Sequence, residues 1–359
     1  MRDWICGVYL AMVVLLPAMS RSGKADSRVY VSLDGEKRIA VYAVDAVSGR
    51  LSPVKNVQTP ESPGGLASDP ENQFLFASLR RAGRLASFRI GSDGGLTLIN
   101  TVQAGADPAY LATDRTGRFL LTAYYVAAKV SVHRIGPDGS LSQAPLQEIP
   151  TARNAHAILT DLSNRFAYVP HTGPNAIFQF RFDEESGRLI PHDPLIIHTG
   201  KQTGPRQLAF HPQLNVVFFD YEQECALAAF NLDRKTGQIS FRERLSSLPP
   251  NATGRSSNSR IQIHPSGRFV YVANRGDDSL AGFRVDSKTG KLTGPERTPT
   301  EKTPRGFAID PAGQFLYAAG QSSGRLAGYR IDQKTGRLKL FATYPVGKQP
   351  WWVHVVQLP

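Results

Sequence analysis

Five arginines, two histidines and one carboxylate recur at the edges of alternating apolar segments: Arg153, Arg206, Arg260, Arg275 and Arg305, with His156, His171 and Glu222. A guanidinium offers a planar fork of donors that matches carboxylate or phosphate. A histidine or carboxylate held nearby can take a proton from water, and the cations can face an oxyanion as it develops. The catalytic set read from these residues is His156, Glu222, Arg206 and Arg275, with His156 or Glu222 as the base. The binding set is Arg153, Asn154, His171, Gln207, Arg260, Gln262, Asn274 and Arg305. Each has a plainer reading beside it. Arg275 in NRGDD can bridge to Asp277 or Asp278, Arg206 and Arg305 can pair with neighbouring carboxylates, and Trp351 and Trp352 can be packing alone. His211 and His264 read as turn residues on the opposite face. The set is rich in arginine rather than in converging acids. No metal or cofactor is expected, and Glu222, Glu224 and Asn175 leave only a weak cation option.

The elements that must position these groups repeat. Three copies are PRGFAIDPAGQFLYAAG from Pro304, IQIHPSGRFVYVAN from Ile261 and PAYLATDRTGRFLLTAY from Pro108. Each runs from a strand through a polar turn to a second strand, a loop, a third strand, a Gly turn and a weaker fourth strand. The third strands are placed to begin at Ile39, Leu85, Val130, Ile177, Leu227, Leu280 and Leu326. Their separations of roughly 45 to 53 residues, with four strands to each unit, are those of propeller blades. Pro-x-Gly and Thr-Gly turns supply the fixed and positive φ that tight connections need. PWWVHVVQL at the end of the chain reads as a first strand with nothing after it, and RVYVSL from Arg28 as a second strand with nothing before it. Together they complete a seventh blade and remove an open sheet edge. The fold class is therefore all-β, a seven-bladed propeller over residues 28–359. In such blades the loops entering strand one and joining strands two and three share one end, which gathers the residues above around a funnel. The blades before residue 153 supply mostly neutral groups there, so the site is expected off-centre, over residues 153–310.

The chain has 359 residues, 41% hydrophobic and 20% charged, with a net charge of +12. Its basic residues are dispersed through turns such as DRKTGQ and DSKTGK, which excludes a nucleic-acid surface. An apolar run from Trp4 to Met19 behind Arg2, with Ala18-Met19-Ser20 at its end, reads as an export signal over residues 1–20. That gives a periplasmic or secreted protein, with a cytoplasmic one as the alternative, and membrane contact only through an uncleaved leader. Loss of the leader removes Cys6 and leaves Cys225 alone, so no internal disulfide is expected. Nothing in the sequence sets the oligomeric state.

GPRQLAFHP from Gly204, SGRFVYVANRGDDSLAGFRVD from Ser266, TPRGFAIDPAGQFLYAAGQ from Thr303 and Glu222 resemble the seven-bladed lactonase family, which includes 6-phosphogluconolactonases and a carboxy-muconate cyclase. The resemblance spans nearly the whole chain after the leader. It implies a metal-independent hydrolase opening a small anionic or sugar lactone, with Arg206, Glu222, Arg275, Arg305 and His156 matching the family pattern. Asn154, Gln207 and Gln262 stand where histidines are usual, and His171 where an aspartate is usual. Two alternatives accompany this reading: a non-catalytic exported binding module, favoured by those missing histidines, and a muconate-type lactonising cyclase.

Overall fold

The computed structural model describes residues 26–358, so the leader segment and Cys6 lie outside the described residues. Seven four-stranded antiparallel sheets are arranged as blades. Blades 1 to 6 begin at Leu66, Pro108, Leu159, Pro205, Ser257 and Pro304 and follow the chain in order. Blade 7 is composite: Pro350–Gln357 is its first strand, followed by Ser27–Leu33, Arg38–Val44 and Leu51–Gln58. Ser27–Leu33 pairs antiparallel with Pro350–Gln357 from Ser27↔Gln357 to Leu33↔Pro350, which seals the ring as the repeat required. Each third strand begins one residue earlier than expected, at Arg38, Arg84, Lys129, Ala176, Ala226, Ser279 and Arg325. Among the described residues only two 3₁₀ turns interrupt the strands.

First strands of neighbouring blades contact one another and surround the axis, while fourth strands form the outer rim. Burial follows this order: second strands such as Val216–Tyr221 and Phe315–Gly320 are buried throughout, whereas Leu51–Gln58 is exposed at most positions. The faces between blades hold the apolar core. Its recurring unit is an aromatic ring under the next blade's hairpin glycine. Phe74, Phe119, Phe166, Phe269 and Phe315 lie beneath Gly139, Gly187, Gly237, Gly336 and Gly49, where an added Cβ would fall 2.1–2.4 Å from the ring. Positive φ and the close ring both require glycine there. Tyrosines two residues on reinforce the joint, as where Tyr317 and Tyr271 donate to the carbonyls of Gly49 and Gly336, each at 2.7 Å. His264 likewise joins Gly313 of the next blade at 2.7 Å, as its turn position suggested. These contacts occupy the end opposite the arginine-bearing loops and make the ring a stiff frame for them.

Candidate functional site

The first strands carry a shared irregularity near the arginine-bearing end. In blade 4, Pro205 pairs with Tyr221 and Gln207 with Asp220, so Arg206 is an extra residue in a β-bulge. The same shift isolates Arg305 in blade 6 and Trp351 in blade 7. In blade 3 the register changes between Ala155↔His171 and Leu159↔Tyr168, and His156 lies within that change. A bulge turns one side chain out of the alternation and increases local twist. Four chemically distinctive residues therefore occupy kindred positions around one mouth.

Glu222, at the end of the Val216–Tyr221 strand, is the meeting point of this cluster. Its Oε1 accepts a short hydrogen bond from Arg275 Nη2, and its Oε2 lies 3.5 Å from Arg206 Nε. Arg275 Nη2 also donates to the carbonyl of Asn258 at 2.9 Å. Arg275 therefore reaches across to blade 4 rather than bridging to Asp277 or Asp278. Arg206 is 2% exposed, and neither its Nε nor its Nη1 has a hydrogen-bond partner. Burial lowers it to about 10, against the pull of Glu222, so it remains a cation at neutral pH. Arg305 stacks on Trp351, its guanidinium carbon 3.6 Å from the ring centroid, with Nε unpartnered. Burial, then the neighbouring Arg206, Arg275 and Arg80, holds it well below the usual arginine range.

His156 is 5% exposed, lies edge-on to Tyr125 with centroids 5.5 Å apart, and leaves Nδ1 buried without a partner. Burial drives it well below the ordinary imidazole range, and Arg206, Arg80 and Arg305 push in the same direction. It is neutral through the neutral pH range.

Two members of the cluster, Arg80 and Asp107, come from blades expected to supply mostly neutral groups. Arg80, after the second strand of blade 1, forms a fork to Asp107 at 2.6 and 2.9 Å and stacks on Trp351 at 5.2 Å. The mouth thus extends beyond residues 153–310 and is nearer the axis than expected. Arg80 occupies the same loop type as Tyr124 and His171, so the repeat alignment contains its signal. Asp220 was also missed, because it stands inside the apolar run VVFFDY. It is wholly buried and accepts a hydrogen bond from the Gln207 amide at 2.6 Å.

Beneath the mouth a second layer closes the axis. Arg260 stacks on Trp352 at 3.8 Å and reaches Gln207 Oε1 at 3.4 Å; Tyr110 meets Trp352 edge-on. Gly306 separates the two layers' supports, since a Cβ there would lie 2.6 Å from the Trp351 carbonyl and 2.9 Å from Trp352 Cα. Trp351 and Trp352 thus carry arginines as well as packing the closing blade.

The remaining sequence-derived residues lie elsewhere. Arg153 is exposed at the rim. Asn154 has φ 62° and makes turn hydrogen bonds through its backbone to Tyr125 and Thr172. His171 is fully buried against Phe178, with Nδ1 on the Val169 carbonyl at 2.8 Å. Gln262 accepts from the Ile309 amide at 2.8 Å, linking blades 5 and 6. Asn274 is enclosed with Ser247 and Ser279. Glu224 pairs with Arg244 at 2.7 Å and Asn175 caps Gly204 at 2.8 Å, so neither converges with Glu222. Among the described residues no three His, Cys, Asp or Glu side chains form a metal-ligand group. Cys225 is buried near the Glu222 carbonyl, 3.8 Å away. A surface groove of about 940 Å³ lies at the same end as the mouth, between Gly35, Gln321 and Lys348.

The class so defined is a closed seven-bladed propeller with a desolvated, arginine-rich mouth around one shared carboxylate and one neutral histidine. The sequence matches the family described as Lactonase, 7-bladed beta-propeller over residues 28–355, and the chain belongs to that family. It is 32% identical to the 6-phosphogluconolactonase of Serratia proteamaculans over 328 residues, covering 91% of this chain and 98% of the relative. The 6-phosphogluconolactonase of Yersinia pestis is also 32% identical, over 329 residues, covering 91% and 97%. The structure of the periplasmic gluconolactonase of Pseudomonas aeruginosa superposes with a TM-score of 0.86 at 26% identity, covering 93% of this chain and all of that one.

Proposed function

We propose that this chain hydrolyses a small sugar lactone, of the gluconolactone or 6-phosphogluconolactone type, at the mouth built by His156, Arg206, Glu222, Arg275 and Arg305. One observation carries the reading: unsatisfied guanidinium donors converge beside a neutral, buried imidazole. Buried donors without partners are costly, and an anion or a developing oxyanion is what they are suited to receive.

In this reading water adds to the lactone carbonyl carbon, and His156 takes its proton. The carbonyl oxygen becomes an oxyanion facing Arg206 and Arg275. The ring C–O bond then breaks, and the departing ring oxygen takes the proton back from the imidazolium, leaving a hydroxy acid. Both oxygens of Glu222 face guanidiniums, which suits it to aligning Arg206 and Arg275. Between the two bases expected from the sequence, the geometry favours His156. Arg305 and Arg80, stacked on Trp351, would hold the substrate's anionic or hydroxylated end. We propose water attack without a metal, because Glu222, Asp220 and Asp107 all lie close to arginines.

An export leader over residues 1–20 is compatible with the periplasmic designation of the Pseudomonas aeruginosa relative. We propose a periplasmic location on that basis, tested by fusing the leader to a reporter active only outside the cytoplasm.

The function is tested by acid release from δ-gluconolactone and its 6-phosphate, with spontaneous hydrolysis subtracted, beside an unsaturated dicarboxylate as a cyclase substrate. Enzyme-dependent opening of either lactone is expected. Binding without turnover of any of the three overturns the hydrolase reading in favour of a binding module, and turnover of the dicarboxylate alone overturns it in favour of a cyclase.

A further inference from the structure

Three blades close their bulge with a side chain from the second strand. In blade 7 the Trp352 amide donates to Ser32 Oγ at 3.0 Å, and in blade 1 the Gly65 amide donates to Ser78 Oγ at 2.8 Å. In blade 4 the Gln207 amide donates instead to Asp220 Oδ1 at 2.6 Å. Blades 2, 5 and 6 have Ala123, Ala273 and Ala319 at the corresponding register and form the bulge without such a cap. A buried hydroxyl, or nothing, therefore suffices for the backbone. Both serines are as inaccessible as Asp220. A carboxylate is much harder to bury than a hydroxyl. Its charge has a purpose that the bulge does not supply.

The charged groups facing Asp220 identify that purpose. Arg206 extends from the adjacent first strand, Arg275 from the second strand of blade 5 and Arg260 from that blade's first strand; Glu222 ends Asp220's own strand. Oδ2 has no hydrogen-bond partner. We propose that Asp220 is a positioning residue for Arg206: its buried carboxylate balances that guanidinium from behind, so that Glu222 stays shared with Arg275 and Arg206 keeps free donors toward the substrate. The proposal rests on the lactonase reading of the mouth. Burial raises Asp220 to about 6, against the pull of Arg206 and the Gln207 amide. Acidification through that range neutralises it, leaving Glu222 as the counter-charge nearest Arg206. Burial shifts His156 in the opposite direction, well below the ordinary imidazole range.

The test uses Asp220→Ser, which restores the cap present in blades 1 and 7, and Asp220→Asn, which keeps the shape. kcat and KM for the lactone that the wild type turns over are measured from about pH 5 to 8.5, with thermal melts alongside. Both variants are expected to melt within a few degrees of the wild type. Their kcat at neutral pH should fall about tenfold while KM changes less than threefold. The acid-side decline of wild-type kcat centred near pH 6 should be absent from both. Variants with wild-type kcat and an unchanged acid limb overturn the assignment, as does failure of both to fold, which would make the role structural. A wild type inactive on every lactone overturns the functional reading itself, whereas an active wild type with indifferent variants overturns Asp220's role alone.

Discussion

Replacing Arg275 by alanine separates catalysis from architecture more cleanly than any other change at the mouth. The side chain makes two contacts through Nη2, to Glu222 and to the Asn258 carbonyl. Glu222 would keep Arg206 at 3.5 Å, so no carboxylate is abandoned. The Arg275 and Glu222 side chains are 16% and 21% exposed, between the limits for surface and buried pairs. A stability loss of about 1–2 kcal/mol follows, and a fall of a few degrees in Tm for a chain of this size. The catalytic loss should be larger. Removing one donor that faces a developing oxyanion costs about 10²–10³ in turnover, or about 2.7–4 kcal/mol. Acid release followed by a pH indicator, with spontaneous opening subtracted, gives kcat and KM, and a melt gives stability on the same sample. Arg275→Lys should fall between, since it retains charge but loses the fork. Turnover of Arg275→Ala within threefold of the wild type would refute the oxyanion assignment. So would an activity loss that merely follows the loss of folded protein.

Three further expectations follow from the packing. Gly306→Ala places a methyl against the Trp351 carbonyl and Trp352 Cα; a loss of about 1–3 kcal/mol is expected, with KM raised as the Arg305–Trp351 stack shifts. Denaturant melts and steady-state kinetics check both parts. Burial lowers His133, His171 and His354 to about 4. The unfolded chain therefore gains protons before the folded one, and stability is lost as pH falls from about 6.5 toward 4, by up to about 1.4 kcal/mol per histidine per pH unit. Asp220, shifted upward, opposes this in part. Melts at about pH 7.5, 6 and 5 should show a progressive decline, and a flat profile would contradict it. Deleting residues 350–359 removes the first strand of blade 7 and exposes Ser27–Leu33 as an open edge, so soluble, cooperatively folding protein should be lost.

The sequence revealed the ring because its turn chemistry repeats: Gly237, Gly290 and Gly336 all occur in the same hairpin position with positive φ. The composite seventh blade was legible from two incomplete units at the chain ends. The site was only partly legible. Arg206, Arg275, Arg305, His156 and Glu222 were found because they flank strands, where loops meet the mouth. Asn154, Gln262 and Asn274 occupy similar positions in the sequence, yet their side chains or backbones are engaged in turns and blade contacts that no strand pattern reveals. Asp220 was hidden in the opposite way. A charged residue within an alternating apolar strand reads as part of the strand, and only the β-bulge opposite it shows that its side chain faces Arg206. A bulge is one extra residue, too slight a change of period to be read from a single chain.

The most direct test of the account is a crystal structure with a gluconolactam, whose amide cannot be hydrolysed as the lactone is. The amide oxygen should lie within hydrogen-bond distance of Arg206 and Arg275, with the His156 ring beside the carbonyl carbon. A lactam bound in a groove between blades, or at the end of the ring that carries the Pro-x-Gly turns, would contradict it.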